Sequence, residues 1–250
     1  MAAASIFVIF KQHFDKIFIG IFFSTYQVGL YFAVQRIALF IGTFALAIEE
    51  MLLPAVSKLH SIKKNKEVQS LVYDTEKYIS MICIPIVAMT VVWSSEIIEV
   101  FISREFLPAS TILQLLALAA LIRVINRPWS IALRGSDRPD LASIANILSA
   151  SLSIILMLIL VPREIPHIGL YDLPGLGGEG AAISVLASEI FVGISLRIFC
   201  YIYLDMTPRF NFFLQLFVAI LVGVLMWQIQ ISIVVDRWYE LFLFLSLIHI

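Results

Sequence analysis

This sequence predicts an all-α, polytopic membrane protein of about eight transmembrane helices. Three observations carry the prediction. The chain of 250 residues is 61% hydrophobic and 14% charged, against roughly 45–50% and about 25% in an ordinary globular chain. Its mean hydropathy is +0.98. Its apolar residues gather into runs close to the length of about 20 residues that a helix needs to cross hydrocarbon. So few charges cannot clothe a solvated surface, and most of the exterior must meet lipid.

The runs fall at 1–24, 27–57, 77–103, 108–134, 139–162, 177–204, 209–234 and 236–250. Turn-forming and charged residues separate them. The first breaks are STYQ at 24–27, SKLHSIKKNKE at 57–67, SREFLP at 103–108 and RGSDRPD at 134–140. The long segment PREIPHIGLYDLPGLGGEG follows at 162–180, then MTPR at 206–209 and VDRWYE at 235–240. The last run, at 236–250, is either a truncated span or a short half-span. Residues 63–67 are expected either as a short amphipathic helix on the membrane surface or as a solvated loop.

Orientation follows from the distribution of Lys and Arg among short loops. Lys58, Lys63, Lys64 and Lys66 lie between the second and third runs, Arg134 and Arg138 between the fourth and fifth, and Arg209 between the sixth and seventh. The alternate loops hold only Arg104, Arg163 and Arg237. An even number of spans then puts both termini in the cytoplasm, in a multi-pass protein of the cytoplasmic membrane. The Pro/Gly segment at 162–180 falls outside. MAAAS lacks the basic start of a signal peptide.

The informative residues are the charges within the runs. In SIFVIFKQHFDKIFIGIFF (5–23), Lys11, Gln12, Asp15 and Lys16 fall within an arc of about 140° on a helix, with Phe7, Phe10, Phe14 and Phe18 opposite. Lys11 and Asp15 are i,i+4 neighbours able to pair. Each unpaired charge at mid-membrane costs about 2.5–3.5 kcal/mol or more, so this stripe is expected to face protein or water. Arg36, Arg123 and Glu189 sit within later runs. A cavity holding Lys11, Arg36 and Arg123 suits a phosphorylated sugar substrate, because guanidinium binds phosphate bidentately and stays ionised. The structural alternatives are a Lys11–Asp15 pair locking two helices and an ion pair between Arg36 and Glu189. Glu96, Glu99, Arg127 and Arg197 lie near run ends, where snorkelling to the interface suffices. Glu49 and Glu50 are expected to face cytoplasmic water.

Other function classes lack their signatures. The net charge of −1 offers no nucleic-acid surface. Cys83 and Cys200 lie in apolar runs and read as small buried hydrophobes. His13, His60, His167 and His249 are scattered singly, and no hydrolase, metalloprotease or phosphate-loop motif is present. No enzyme activity, cofactor or metal is expected. In GLGGEG (175–180) the glycines are expected to turn the chain tightly into the sixth run and let Ala181 and Ala182 pack closely on another helix.

The succession QVGLYFAVQRI (27–37), MLLPAVSKLHS (51–61), FLPASTILQLLALAALIRVINRPWSIALRGSDRPDLASIANIL (106–148) and GGEGAA (177–182) resembles the multidrug/oligosaccharidyl-lipid/polysaccharide exporter superfamily. The likeness is to polysaccharide flippases of the O-antigen type. It implies two pseudo-symmetric six-helix lobes, with a pyrophosphate-linked, lipid-linked oligosaccharide passing through a cationic cavity between them by alternating access. On this likeness residues 1–204 correspond to the second lobe and 205–250 to an additional helix pair, with the first lobe missing. The resemblance implies that Lys11, Arg36 and Arg123 face the substrate path. Asp15 and Glu189 are the carboxylates suited to ion coupling. The competing functions are a multidrug/cation antiporter of the same superfamily and a non-transporting membrane scaffold for glycan assembly.

Overall fold

The computed structural model describes Asp15, residues 17–164 and 171–207, and the single positions Gly223, Val224 and Gln228, apart from the side chains of 44–49. Lys11, most of the first expected run, all but three positions of the run expected at 209–234, and the run expected at 236–250 lie outside the described residues. Every described element is helical. After the helical residues 17–22 come α1 (Thr25–Ser61), α2 (Asn65–Val92), α3 (Ser94–Phe101), a 3₁₀ turn (Arg104–Ala109), α4 (Ser110–Gly135), α5 (Pro139–Leu160) and α6 (Gly177–Leu204). Among the described residues four stretches are long and apolar enough to cross a membrane: Asn65–Val92, Arg104–Gly135, Pro139–Leu160 and Gly177–Leu204. The chain is a multi-pass membrane protein. The expected eight spans reduce to these four where the structure describes them.

Helix α4 is the hub, packing against α1, α2, α5 and α6. Its sequence explains the position. Ala117, Ala119, Ala120 and Ala132 are all buried, and small side chains let helix backbones approach closely where no water drives association. Pro128 lies inside α4, Pro54 inside α1 and Pro85 inside α2. Membrane helices tolerate such prolines because neighbouring helices and side chains satisfy the freed carbonyls.

The boundaries follow local chemistry. Gly135 ends α4 and Pro139 opens α5, where its missing N–H and fixed φ suit the first helical position. Gly177 has φ +56 at the start of α6, a conformation that glycine adopts without steric penalty. Gly180 faces the Leu160 carbonyl so closely that a Cβ would stand 2.7 Å from that oxygen. Ala181 and Ala182 are fully buried beside Tyr31, Val34 and Ile112. The glycines thus turn the chain into α6 and let its first turns dock tightly, as their spacing suggests.

One boundary departs from the expectation. Helix α2 begins at Asn65, twelve residues before the run expected from 77 (77 − 65 = 12). Residues 65–67 form its first turn, and Lys63, at φ 59, makes the reversal out of α1. The physical reason is amphipathicity. Val68, Val72, Tyr73 and Glu76 are buried at helical spacing against α1 and α4, so one face docks while the other stays polar.

The Gly180 contact is with backbone, which cannot swing aside. Gly180→Ala is expected to lower stability by about 1–3 kcal/mol. Gly29→Ala, where a Cβ meets nothing within 4 Å, is expected to be neutral or stabilising by up to ~1 kcal/mol. Thermal unfolding of the purified protein in detergent distinguishes the two.

Candidate functional site

Three helices bring a connected set of polar side chains into the bundle. Glu76 projects from α2, Arg123 and Asn126 from α4, and Glu189 and Arg197 from α6. Arg197 donates from NH2 to Glu76 Oε1 at 2.6 Å and from NH1 to Asn126 Oδ1 at 2.8 Å. Asn126 Nδ2 donates to the Glu189 carbonyl at 2.9 Å. Arg123 Nε donates to Glu189 Oε1 at 3.0 Å. The result is a continuous ladder of two ion pairs bridged by one amide.

Packing fixes the ladder. Gly193 leaves the space that Asn126 occupies, since a Cβ there would stand 2.5 Å from Asn126 Oδ1. Arg197 also donates to the Gly193 carbonyl at 3.1 Å and stacks over Trp129 at 5.0 Å, a cation–π contact that strengthens away from water. Tyr73 lies against Trp129, with ring centroids 5.7 Å apart. The Tyr73 hydroxyl donates to the Thr207 carbonyl, which ties the chain leaving α6 onto α2. Burial is asymmetric: the Glu76 and Glu189 side chains are each 7% exposed, Arg197 19% and Arg123 37%. Arg123 therefore has one edge on Glu189 and the other turned out of the bundle.

Toward the first helical segment a second polar group forms. Asp15 is buried and accepts from Gln35 Nε2 of α1 at 2.8 Å. Tyr31, one turn before Gln35 on α1, is fully buried. Of the residues singled out by sequence, the structure gathers Asp15, Arg123 and Glu189 into this interior. Lys11 lies outside the described residues.

Arg36 stands apart. The buried positions of α1 here are Leu30, Tyr31, Val34, Ala38 and Ile41. At about 100° per residue Arg36 lies about 170° from the centre of that stripe. It is exposed, with its guanidinium 4.8 Å over the Phe32 ring. The interhelical pair expected between Arg36 and Glu189 is thus corrected: Glu189 pairs with Arg123, because α4 rather than the outer face of α1 borders α6 at that level. Arg197 likewise does not snorkel. Its guanidinium is held inward by Glu76 and Asn126. Glu99 pairs with Arg104 at 2.5 Å on the surface, and Glu50 is exposed.

Sequence reasoning missed Glu76, Gln35, Tyr31 and Asn126. Glu76 had a legible signal, since it falls on the same face as Val68, Val72, Tyr73, Ile79 and Cys83. A carboxylate on a buried stripe demands a partner. Asn126 had none, because its role depends on Gly193 of another helix. Among the described residues no His, Cys, Asp or Glu cluster is arranged to hold a metal ion.

The family model described as polysaccharide biosynthesis protein matches residues 1–111. Over these residues, somewhat less than half of its length, the chain is similar to polysaccharide biosynthesis proteins. It is 27% identical over 152 residues to a protein of Haloferax volcanii named a probable low-salt glycan biosynthesis flippase, Agl15. That match takes in 61% of this chain and 32% of the relative, so the chain aligns with about a third of the relative's length. No solved structure matches the chain. The family match covers the first helical segment, α1, α2 and α3, which include Asp15, Gln35, Arg36 and Glu76.

Breaking one member of the Glu76–Arg197 pair strands a buried charge. Glu76→Ala or Arg197→Ala is each expected to cost about 3–5 kcal/mol. The apolar double replacement Glu76→Leu with Arg197→Met is expected to recover a large part of the loss. Thermal unfolding of the four proteins in one detergent checks this.

Proposed function

We propose that this chain forms one wall of a flippase that carries a lipid-linked, pyrophosphate-bearing oligosaccharide precursor across the cytoplasmic membrane. In this reading residues 1–204 form the six-helix lobe, and 205–250 add a further helix pair. A second lobe supplies the facing wall. Both termini lie in the cytoplasm, and no covalent chemistry is required.

The observation that carries the reading is Arg36. Its face of α1 also exposes Phe32, Leu39 and Phe40, a surface otherwise suited to lipid. A guanidinium exposed there to acyl chains costs about 2.5–3.5 kcal/mol or more. A wet cavity facing a second polar wall removes that cost and gives the arginine an anionic ligand. Arg123, half turned outward beside Glu189, extends the cationic lining, and Lys11 is assigned to the same path. The enclosed Glu76–Arg197 end of the ladder is not the path, because those two charges neutralise each other. Asp15 and Glu189 are the carboxylates proposed for ion coupling. The cationic character of Arg36 and Arg123 favours an anionic substrate over the organic cations of a drug antiporter.

In a cell that depends on this chain for its surface glycan, Arg36→Ala is expected to abolish glycan export by at least about tenfold. That corresponds to losing one charge-assisted contact of about 1.5–3 kcal/mol. Its amount in the membrane is expected to stay unchanged, since Arg36 supports no interior contact. Glycan on the cell surface and protein in the membrane fraction are measured together. Normal export by Arg36→Ala removes this residue from the path, and normal export without any mid-membrane charge favours the scaffold.

A further inference from the structure

Between α2 and α4 the chain makes an unusual detour. Helix α2 stops at Val92, and Trp93 bends it into the eight-residue α3, followed by the 3₁₀ turn Arg104–Ala109. Helix α3 is too short to cross a membrane, yet both pieces are fixed. Gln114 of α4 donates to the Val91 carbonyl at 3.1 Å and to Ser94 Oγ at 2.9 Å, holding the bend from below. The Tyr26 hydroxyl at the start of α1 donates to the Glu105 carbonyl at 3.1 Å. Ile98 and Ala109 are fully buried in the core beneath. This segment therefore lies across the end of the bundle where α2 finishes and where α1 and α4 begin.

Its outer side carries two kinds of residue at once. Phe101 is 66% exposed and Val100 is exposed beside it. Directly adjacent, Glu99 and Arg104 form a surface ion pair, with Arg104 82% exposed. Deep lipid accommodates the ring and excludes the pair; water accommodates the pair and not the ring. Only the boundary layer of a bilayer, apolar on one side and hydrated on the other, satisfies both. The position in the fold agrees, since α2 and the stretch Arg104–Gly135 both qualify as membrane spans and both end here. The apolar outer face of α2, with Tyr78, Met81 and Ile82 exposed, runs toward this same end.

We infer that α3 and the following 3₁₀ turn form an interfacial anchor, with Phe101 and Val100 inserted into the lipid boundary and the Glu99–Arg104 pair among the head groups. The occupant of this surface is lipid, whatever the bundle transports. Gln114 and Tyr26 transmit the anchor's depth to α4 and α1, so it sets how far the helices carrying Arg36 and Arg123 sit in the bilayer.

The test is site-directed spin labelling in phosphatidylcholine vesicles, with Cys83 and Cys200 first replaced by alanine. Single cysteines are placed as Phe101→Cys, with Val100→Cys as a second variant should the first fail to fold. Ile82→Cys on the outer face of α2 and Lys63→Cys in the exposed turn serve as references. The ratio of collisions with oxygen to collisions with a water-soluble nickel chelate is expected to be several-fold higher at 101 than at 63, and lower than at 82. A ratio at 101 or 100 equal to that at 63 places the segment in water and overturns the inference. Low collision with both reagents means that protein covers the surface, which overturns it equally.

Discussion

A charge carried into a lipid-facing bundle must meet its counter-charge there, and the Arg197–Glu76 contact is where this constraint acts on the whole fold. An unpaired ion at such a depth costs more than most single packing contacts supply. The pair draws α2 and α6 together across α4, which lies between them. Asn126 completes the geometry by using both ends of its amide, accepting from Arg197 and donating to the Glu189 carbonyl. That double role requires α6 to come close, and Gly193 provides the space. The glycine at 193 and the enclosure of Asn126 both serve this one electrostatic requirement.

The same requirement separates two kinds of charge on the long helices. Glu76, Arg197 and Glu189 have partners and are enclosed, so they organise the bundle. Arg36 stacks on Phe32 at the surface, on the face of α1 turned away from the core. Hydrocarbon penalises the second kind and tolerates the first. The proposed substrate path therefore runs along the outside of this lobe rather than through it, with Arg123 at the junction. One edge of Arg123 belongs to the ladder and the other faces out.

The long helices were largely legible, because apolar length is a property of consecutive residues. The runs at 27–57, 108–134, 139–162 and 177–204 correspond to α1, α4, α5 and α6 to within four residues at each end. The start of α2 was hidden. Its first three turns are polar in composition and helical only because one face docks on α1 and the end of α4. The charged side chains were visible as residues but not as pairs. Arg36 and Glu189 looked like a pair in sequence, whereas Arg123 holds Glu189, and Arg197, near a helix end, turned inward instead of out.

By itself, then, the sequence determined that the chain is helical, that it lives in a membrane, and which charges interrupt its apolar runs. Those facts follow from hydropathy and spacing along one strand of chain. Which charges neutralise each other, and which is left facing outward, was decided only by the tertiary structure. A helix presents every direction within one turn, so only the neighbours around it determine whether a guanidinium meets a carboxylate or an open face.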